Sequence, residues 1–418
     1  MEKIEGHTQV ETIPQWRIVF SAPVIVAALG YFVDIYDLVL FSIVRVPSLK
    51  SIGLHGQALL DEGVFLLNMQ MAGMLIGGVL WGVLGDKKGR LKILFGSIFL
   101  YSVANIANGM VDTIEWYSVW RFIAGVGLAG ELGAGITLVA EVLPKHLRGY
   151  GTMVVASVGV SGAILANYFA KLFDWRVAFF LGGGLGLLLM LLRIGTYESG
   201  MFRQMERSEV SKGNFFKIFS GWPIFLKYLN SVLIGIPIWF VVGILITFSP
   251  EFANALNIKG VVNAGNAVMF CYIGLIAGDF SSGLLSQLWK SRKKAVLFFV
   301  FLTAFFMLLY FNLTGATAEI FYGACTLLGF AIGYWAIFVT VAAEQFGTNL
   351  RATVATTVPN FVRGSVVPVT FLFQFAKSQL GILNGAALIG ILCLIVAFFS
   401  LWRLEETFHK DLDYMELS

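Results

Sequence analysis

The sequence predicts an all-α membrane protein with 12 transmembrane helices arranged as two pseudo-symmetric six-helix bundles. Of the 418 residues, 58% are hydrophobic and 13% are charged, and the mean hydropathy is +0.81. A soluble domain averages about 25% charged residues, so the composition is that of a polytopic membrane protein. Twelve apolar runs are long enough to cross a hydrocarbon layer of about 30 Å, and the longest hydrophilic connection separates the sixth run from the seventh.

The predicted spans divide the chain into five segments. The spans lie near residues 18–44, 64–84, 92–111, 116–140, 151–170, 177–196, 226–249, 264–289, 295–313, 319–343, 354–376 and 380–402. The segments are a tail (1–17), a first bundle (18–196), a central loop (197–225), a second bundle (226–402) and a second tail (403–418). The acidic start "MEKIEGHTQVETIPQW" lacks the basic region and cleavage site of a signal peptide.

The basic residues of the connections predict the orientation of the chain. The even connections contain "DKKGRLK", "PKHLRG", the central loop, "KSRKK" and "NLR". Together they carry roughly three times as many Lys and Arg as the odd connections, so the even connections and both tails are expected to be cytoplasmic. The protein is therefore predicted to lie in the cytoplasmic (inner) membrane. The net charge of +4 and the absence of a basic aromatic-rich stretch give no support to nucleic-acid binding.

The two halves of the sequence repeat each other. At an offset of 201 residues, three glycines of the second span fall on three glycines of the eighth: Gly73, Gly77 and Gly82 on Gly274, Gly278 and Gly283. After the fourth and tenth spans a Glu precedes an Arg by seven residues, as Glu141 and Arg148, and as Glu344 and Arg351. Internal repeats with a site between them are typical of alternating-access carriers.

Four motifs resemble those of the major facilitator superfamily. "GVLGDKKGRLK" (82–92) is similar to its loop between the second and third helices, and "RFIAG" (121–125) to the Arg-x-x-x-Gly element of its fourth. "YESGMF" (197–202) resembles the Glu-Ser-Pro-x-Phe turn, with Gly200 in place of the proline, and "LEETFHKDLDYME" (404–416) resembles the sugar-porter tail. The resemblance covers the whole chain and points to the cluster of metabolite-proton and phosphate symporters, sugar porters and organic-ion transporters.

The resemblance implies that matched cytoplasmic loops latch one bundle to the other. The second copy has Gln287 where the alignment expects an acid, so its latch is expected to be weaker. The alternative is that these basic loops serve only membrane topology. The predicted latch residues are Gly82, Asp86, Gly89, Arg90, Glu141, Arg148, Arg292, Glu344 and Arg351.

Ionisable residues inside the spans are the strongest functional signal. All four histidines lie in tails or loops, so we expect no histidine proton relay in the membrane. Charged groups within a bilayer are costly, usually face a cavity or pair with each other, and mark ion or substrate paths. The intramembrane candidates are Asp34, Asp37, Arg121, Glu131, Asp279 and Arg363.

Asp34 and Asp37 are expected to share one face of the first span. Residues three apart are separated by about 60° around a helix. "YDLVLFS" resembles the helix of sugar, phosphate and metabolite symporters whose aspartate carries the coupling proton, and this role falls on Asp37. In those families the acid lies near the fourth-helix arginine, here Arg121, which would tune its protonation. Asp34 is expected to assist; the alternative for both acids is a static pair that fixes helix packing.

Glu131 lies in "GVGLAGELGAG" (125–135), where metabolite symporters have a similar acid. We interpret it as a second proton site or a substrate contact. The alternative is that Glu131 is a packing partner of Arg121.

Arg363 is the predicted substrate clamp. It lies twelve residues after Arg351, as in organic-anion transporters, and a guanidinium suits a carboxylate or phosphate. The alternative is a salt bridge between Arg363 and Asp279. If both charges remain open to the cavity, they would suit a zwitterion. Trp239, Tyr334, Trp335 and Asn360 are the further candidates for the substrate-binding wall.

The sequence therefore predicts a secondary active transporter, a proton-coupled symporter of a small organic anion or zwitterionic metabolite. The alternatives are a sugar or polyol symporter, a multidrug or metabolite exporter and, more distantly, a receptor that binds its ligand without transport. No nucleotide-binding loop, hydrolase motif or metal-ligand spacing is present, so we expect no enzyme, no catalytic residue, no metal and no cofactor. The coupling ion is H⁺, with Na⁺ as the alternative. The expected partners are the substrate and the lipid bilayer, and the expected functional unit is a monomer.

Overall fold

The computed structural model describes residues 16, 20–88, 90–131, 143, 148–198 and 215–408. Within these ranges the chain is almost entirely helical, and the one extended pairing is a bridge between Lys259 and Thr317. The helices of the N-terminal half are α1 (Ala22–Ser51), α2 (Ala58–Lys88), α3 (Arg90–Asn108), α4 (Ile114–Leu128), α5 (Arg148–Val160), α6 (Gly162–Leu172) and α7 (Trp175–Glu198).

The C-terminal half contains shorter and more interrupted helices. Its elements are a 3₁₀ turn (Phe215–Phe219), α8 (Trp222–Leu233), α9 (Ile236–Phe240), a π-helical turn (Val241–Ile246), α10 (Ser249–Ala255), α11 (Ala264–Leu288), α12 (Arg292–Phe311), α13 (Ala318–Ala331), α14 (Trp335–Glu344), α15 (Thr348–Gly364) and α16 (Val366–Arg403).

Nine helical stretches of the described chain are long and apolar enough to cross a membrane. The longest, Thr353–Arg403, would measure about 76 Å as one straight helix, more than twice the hydrocarbon thickness. It is broken at Gly381, whose φ of 78° is left-handed, and a Cβ on Gly385 would lie 2.7 Å from the backbone nitrogen of Lys377. The chain therefore turns back on itself at Gly381. The number of twelve spans and the side of the termini remain predictions.

Short polar side chains set where several helices begin. The first backbone N–H groups of a helix have no partner within it, and a Ser, Thr or Asn just before the helix can accept from one of them. Thr113 accepts from the backbone N–H of Trp116 at the start of α4. Asn263 accepts from Gly265 at the start of α11, and Ser291 accepts from Lys294 at the start of α12.

The glycine repeat is visible as a repeated backbone contact. A Cβ on Gly125 of α4 would overlap the carbonyl oxygen of Gln70 on α2. A Cβ on Gly329 of α13 would overlap the carbonyl oxygen of Cys271 on α11 in the same way. Cys271 follows Gln70 by the 201 residues of the sequence repeat. Small residues let two membrane helices approach until their backbones touch, so the two halves share the same packing seam.

The halves meet mainly through α2 and α11 and enclose a buried centre. α2 packs against α15 of the C-terminal half, while α11 packs against α1, α5 and α6 of the N-terminal half. The helices α1 and α11 thus carry polar residues into the interface between the halves.

Candidate functional site

Three helix breaks surround the centre of the C-terminal half. α9 passes into the π-helical turn at Val241–Ile246, α13 gives way to α14 through residues 332–334, and α15 gives way to α16 at Ser365. Irregular backbone at membrane depth is tolerated where it is buried in protein or lines a cavity, and such breaks are frequent at binding sites. Four of the predicted substrate residues lie in these breaks or within two positions of them: Trp239, Tyr334, Trp335 and Arg363.

Arg363 faces Asp34 across the interface between the halves. Its Nη2 lies 3.5 Å from Oδ2 of Asp34, and both side chains are buried. The contact is an ion pair without hydrogen bonds: within the described chain, neither carboxylate oxygen accepts one, and Nε and Nη1 of Arg363 donate none. The two charges neutralise each other, yet most of their hydrogen-bonding capacity remains available to a ligand.

Two indole rings lie beside the Arg363 guanidinium, both on the same side of it. Its central carbon lies 5.8 Å from the ring centroid of Trp239 and 5.7 Å from that of Trp335. The two rings meet edge to face, with their centroids 6.4 Å apart. A cation over an aromatic face is stabilised by about 0.5–2 kcal/mol. The structure thus brings three of the predicted substrate residues into one cluster with Asp34.

Asp279 is held by a helix N-terminus and not by Arg363. Its Oδ1 accepts the backbone N–H of Ala336 at 3.1 Å, in the first turn of α14, and its Oδ2 has no hydrogen-bond partner among the described residues. Unpaired N–H groups and the helix dipole favour an anion at this position. The alternative of an Arg363–Asp279 salt bridge is therefore not realised in this structure, because Arg363 pairs with Asp34 instead.

Glu131 pairs with Arg193, a residue that is not among the candidates predicted from the sequence. Two hydrogen bonds of 2.9 and 3.0 Å join the two buried side chains. The pair fits against Gly30 of α1, where a Cβ would collide with the guanidinium. Glu131 is thus not a packing partner of Arg121. Arg193 lies near the end of the predicted sixth span, where a basic residue ordinarily signals topology.

Asp37 and Arg121 do not form the expected direct pair. Arg121 donates a hydrogen bond to Oε1 of Gln70, and its guanidinium lies 4.7 Å from the ring centroid of Phe41, one turn beyond Asp37 on α1. Asp37 packs against Gly182 of α7, and within the described ranges its carboxylate accepts no hydrogen bond. The glutamine and the aromatic face compete with the carboxylate for Arg121, so the two charges stay apart in this conformation.

Asn360 and Tyr334 serve contacts other than the Arg363 cluster. The Asn360 side-chain nitrogen donates to the carbonyl of Ala129 at 2.9 Å, joining the two halves, and Gly78 makes room for it. The Tyr334 hydroxyl donates to the carbonyl of Ile234 at 3.1 Å and is fully buried within the C-terminal half. Their proposed substrate roles receive no support from this arrangement.

A second buried arginine, also missed from the sequence, closes one end of the interface. Arg45 lies one position after the first predicted span but is still inside α1, which runs to Ser51. It is fully buried, and it contacts both carboxylate oxygens of Glu251 in α10, on the other half. Glu251 is the sequence signal that could have revealed this residue. An acid able to pair with Arg45 would have allowed the first predicted span to continue past residue 44.

Further polar contacts join the halves near Arg45. Thr247 donates to the hydroxyl of Ser42 at 3.0 Å. Thr370 donates to Oδ1 of Asn68 at 2.7 Å, and Lys377 lies 3.0 Å from the carboxylate of Asp61. With the Arg45 pair, these bonds close the end of the molecule at which α1 finishes and α2 begins.

The predicted latch residues of the first half are only partly within the described chain. Gly89 and Glu141 lie outside it, and for Asp86, Arg90 and Arg148 the structure describes the helical backbone alone. Gly82 faces the C-terminal half, where a Cβ would lie 3.5 Å from Cγ2 of Thr357. The first latch therefore stays a prediction.

The latch residues of the second half meet within that half. Arg292 lies 3.5 Å from the carboxylate of Glu344, which also accepts the hydroxyl of Thr407 in the C-terminal tail at 2.7 Å. Arg351 donates to the carbonyl of Phe346 at 3.3 Å. No group of His, Cys, Asp and Glu side chains in the described part could hold a metal ion.

The comparison with known proteins identifies the family. A model described as "Major Facilitator Superfamily" matches residues 27–365. The chain belongs to the major facilitator superfamily. This member is similar to the niacin transporter NiaP of Acinetobacter baylyi, with 24% identity over 383 residues, 82% of this chain and 84% of the relative. It is also similar to the probable 4-methylmuconolactone transporter of Cupriavidus pinatubonensis, with 26% identity over 410 residues, 90% of this chain and 89% of the relative.

The superfamily fold is also shown by solved structures. The proton:xylose symporter XylE bound to 6-bromo-6-deoxy-D-glucose matches with a TM-score of 0.71 and 17% identity, covering 96% of this chain and 98% of that one. At this identity the likeness shows the fold alone. The superfamily member described here is accordingly an integral membrane transporter and not an enzyme.

Proposed function

We propose that this transporter is a proton-coupled symporter of a small organic anion, and that the anion is a flat, unsaturated carboxylate. The observation that carries the proposal is the Arg363 guanidinium, which is buried next to two indole rings and has two nitrogens that donate no hydrogen bond within the described chain. A guanidinium fork matches a carboxylate, and aromatic faces match a planar π-system. The niacin and methylmuconolactone transporters among its relatives handle compounds of this kind.

Asp34 supplies the link between proton and anion. While Asp34 is ionised it neutralises Arg363, and an approaching carboxylate would meet a like charge 3.5 Å from its binding partner. A proton on Asp34 removes that repulsion and leaves Arg363 as an uncompensated cation. Binding of the carboxylate and of the proton then favour each other, and moving them together lowers the charge carried through the membrane field, where each elementary charge costs about 2.3 kcal/mol per 100 mV.

The other buried acids take different parts in this proposal. Glu131 is compensated by Arg193 and is assigned to holding the chain just after α4 against α7. Asp37 accepts no hydrogen bond from the described residues and is assigned a second proton. Asp279 keeps one oxygen without a hydrogen bond, and it would receive the ammonium group if the substrate is a zwitterion. We further propose a monomer in the cytoplasmic membrane with both termini in the cytoplasm.

Uptake into proteoliposomes under an imposed pH gradient tests the proposal. Benzoate, nicotinate, a muconate, an amino acid and xylose are offered separately, each with an inward proton gradient and with none. We expect gradient-stimulated uptake of the flat carboxylates, unaffected by replacing K⁺ with Na⁺. Uptake that does not depend on the pH gradient would exclude proton coupling, and a requirement for Na⁺ would show sodium coupling instead. Uptake of xylose alone would show that the protein is a sugar porter.

Asp34→Asn and Asp37→Asn separate the two proton roles. The asparagine at position 34 mimics a neutral acid, so this variant should still bind and exchange the carboxylate while losing its acceleration by the gradient. Asp37→Asn should keep part of that acceleration. If the pH gradient accelerates uptake by both variants as much as it does for wild type, the assignment of the coupling proton to Asp34 is contradicted.

A further inference from the structure

A groove opens on the surface of the C-terminal half, and none of its lining residues belongs to the Arg363 cluster. It lies where α11 ends, α12 begins and α16 ends. Two adjoining cavities of about 540 and 510 Å³ form it, and they share Trp289, Lys294 and Leu297. Their volumes are those of sites for small-molecule ligands.

The mouth of the groove is basic. Lys290 and Lys294 line it and are exposed, and neither forms an ion pair within the described part of the chain. Lys293 also lines it, but its ammonium group donates to the backbone carbonyls of Trp402 and Leu404 at 3.2 and 2.5 Å. Two ammonium groups therefore face the mouth with their hydrogen-bonding capacity unused.

Among the described residues that line the mouth, the one carboxylate is already engaged in hydrogen bonds. Glu406 accepts from the hydroxyl of Ser291 and from the backbone N–H groups of Arg292 and Lys293, at the start of α12, and of Thr407 and Phe408. Burial acts in the opposite direction, but these bonds hold the pKa of Glu406 below its ordinary value. The charge of Glu406 is thus directed into the α12 N-terminus and not toward Lys290 or Lys294.

Below the mouth the groove is apolar. It continues along Leu297, Phe298 and Phe301, and both phenylalanines are exposed on the surface of α12. From Lys294 to Phe301 this helix rises about 10 Å, the length of the first part of an acyl chain. Trp289 packs edge to face on Phe298 with the centroids 5.6 Å apart, and Trp402 borders the other side. Tryptophan is enriched at the depth where headgroups meet acyl chains.

We propose that this groove binds an anionic glycerophospholipid, with its phosphate between Lys290 and Lys294 and one acyl chain along Leu297 and Phe301. Basic pockets that continue into the hydrocarbon region recognise anionic lipid headgroups. A free phosphate ion would use only the mouth, whereas a phospholipid fills the charged and the apolar parts at once.

Quenching of tryptophan fluorescence by brominated lipids tests the site, because Trp289 and Trp402 line the groove. The full-length protein is reconstituted in phosphatidylcholine vesicles with rising fractions of phosphatidylglycerol or phosphatidylcholine that carries bromine on its acyl chains. We expect stronger quenching by the brominated phosphatidylglycerol at equal fraction. This excess should decrease between 50 and 500 mM NaCl, since salt screens headgroup attraction.

Two substitutions remove the basic mouth without straining the backbone. Lys290 has a left-handed φ of 49°, which asparagine tolerates, so the variant is Lys290→Asn combined with Lys294→Gln. The relative affinity for phosphatidylglycerol should fall roughly fivefold for each lysine removed. The control is Lys50→Gln with Lys171→Gln, two exposed lysines outside the groove, which should leave the excess quenching intact.

The proposal would be overturned by any of three results. These are equal quenching by both brominated lipids in the wild type, an excess that is insensitive to salt, and an equal loss in the control variant. Complete displacement by 10 mM inorganic phosphate would identify a site for the free ion and overturn the lipid assignment. The wild-type comparison and its salt dependence decide the matter even if the double variant fails to fold.

Discussion

Arg45 and Glu251 join the two halves of the molecule through a single guanidinium nitrogen that lies 2.6 Å from one carboxylate oxygen and 2.7 Å from the other. The arginine is fully buried. It also donates to the carbonyl of Leu59 at 2.8 Å and lies 4.5 Å from the ring centroid of Phe248. Since this charge has no access to water, the closed end of the interface depends on the presence of its partner.

Replacing Glu251 with Gln is therefore expected to open this end of the transporter. Removing one partner of a buried ion pair costs about 3–5 kcal/mol, because the other charge stays buried and uncompensated. Ser42, hydrogen-bonded to Thr247 beside the pair, is a suitable reporter position. In purified protein, maleimide labelling of Ser42→Cys should be at least several-fold faster with Glu251→Gln than without it.

The control is a variant in which both charges are removed, Arg45→Met with Glu251→Leu. Replacement of a buried pair by apolar side chains is often neutral or stabilising, so labelling at position 42 should stay slow. The native cysteines Cys271, Cys325 and Cys393 are buried and provide a low background. Fast labelling in the apolar pair as well would show that the ion pair does not hold the interface closed.

Replacing Arg363 with Lys should weaken carboxylate uptake although the charge is kept. A lysine ammonium cannot form the two-point contact of a guanidinium, nor can it pack against Trp239 and Trp335 in the same way. We expect the KM for the preferred carboxylate to rise about tenfold or more. The matched control is Arg176→Lys, in an exposed pair with Asp112, where the effect should be within twofold. An unchanged KM in Arg363→Lys would contradict the proposal that Arg363 binds the carboxylate.

Replacing Trp335 with Leu should reduce the preference for aromatic over saturated acids. The indole provides a flat face next to Arg363, and its loss removes stacking worth about 1 kcal/mol, or roughly fivefold in affinity. The measurement is competition by benzoate and by cyclohexanecarboxylate against uptake of one labelled substrate. Trp335→Phe should retain the preference, and so should Trp222→Leu, since Trp222 is exposed on the surface. If Trp335→Leu discriminates as well as wild type, the flat-ligand assignment is contradicted.

Two glycines of the same helix should respond oppositely to alanine. A Cβ on Gly329 would overlap the carbonyl oxygen of Cys271, whereas around Gly323 nothing lies within 4 Å. Gly329→Ala should lower the thermal unfolding midpoint in detergent. Gly323→Ala should leave it unchanged or raise it, because alanine favours a helix over glycine by about 0.5–1 kcal/mol. Gly125→Ala in the first half should behave like Gly329→Ala; a harmless change there would count against the shared seam.

The sequence was informative about the fold because its signals are local or periodic. Apolar runs and the glycine spacing depend on neighbours along one helix, and the repeat at 201 residues is periodic. The described chain is almost entirely helical, as these patterns predict, while the number of twelve spans stays a prediction. The breaks in the C-terminal half were less predictable. The π-helical turn consists of "VVGILI", which is as apolar and regular in sequence as any straight span.

The pairing of the buried charges could not be deduced from the sequence. Asp34 and Asp37 share a face of α1, and which of them meets Arg363 or Arg121 depends on a shift of about one turn between helices that are distant in the chain. Gln70 and Phe41 decide where the Arg121 guanidinium rests, and neither carries a charge that would attract notice. Arg45 and Arg193 were overlooked because basic residues near span ends usually report topology.

The glycine seams described for α2 with α4 and for α11 with α13 have a mechanical consequence. Where two backbones are in direct contact, no side chain lies between them that could change its rotamer. These helix pairs therefore resist sliding and move as rigid units. A displacement of a few ångströms at the Arg45 end must then be transmitted along the whole length of each half. The conformational changes of a transport cycle are then expected at the side-chain contacts between α2 and α15 and between α11 and α1. The interrupted helices around Arg363 are the other place where such changes are expected.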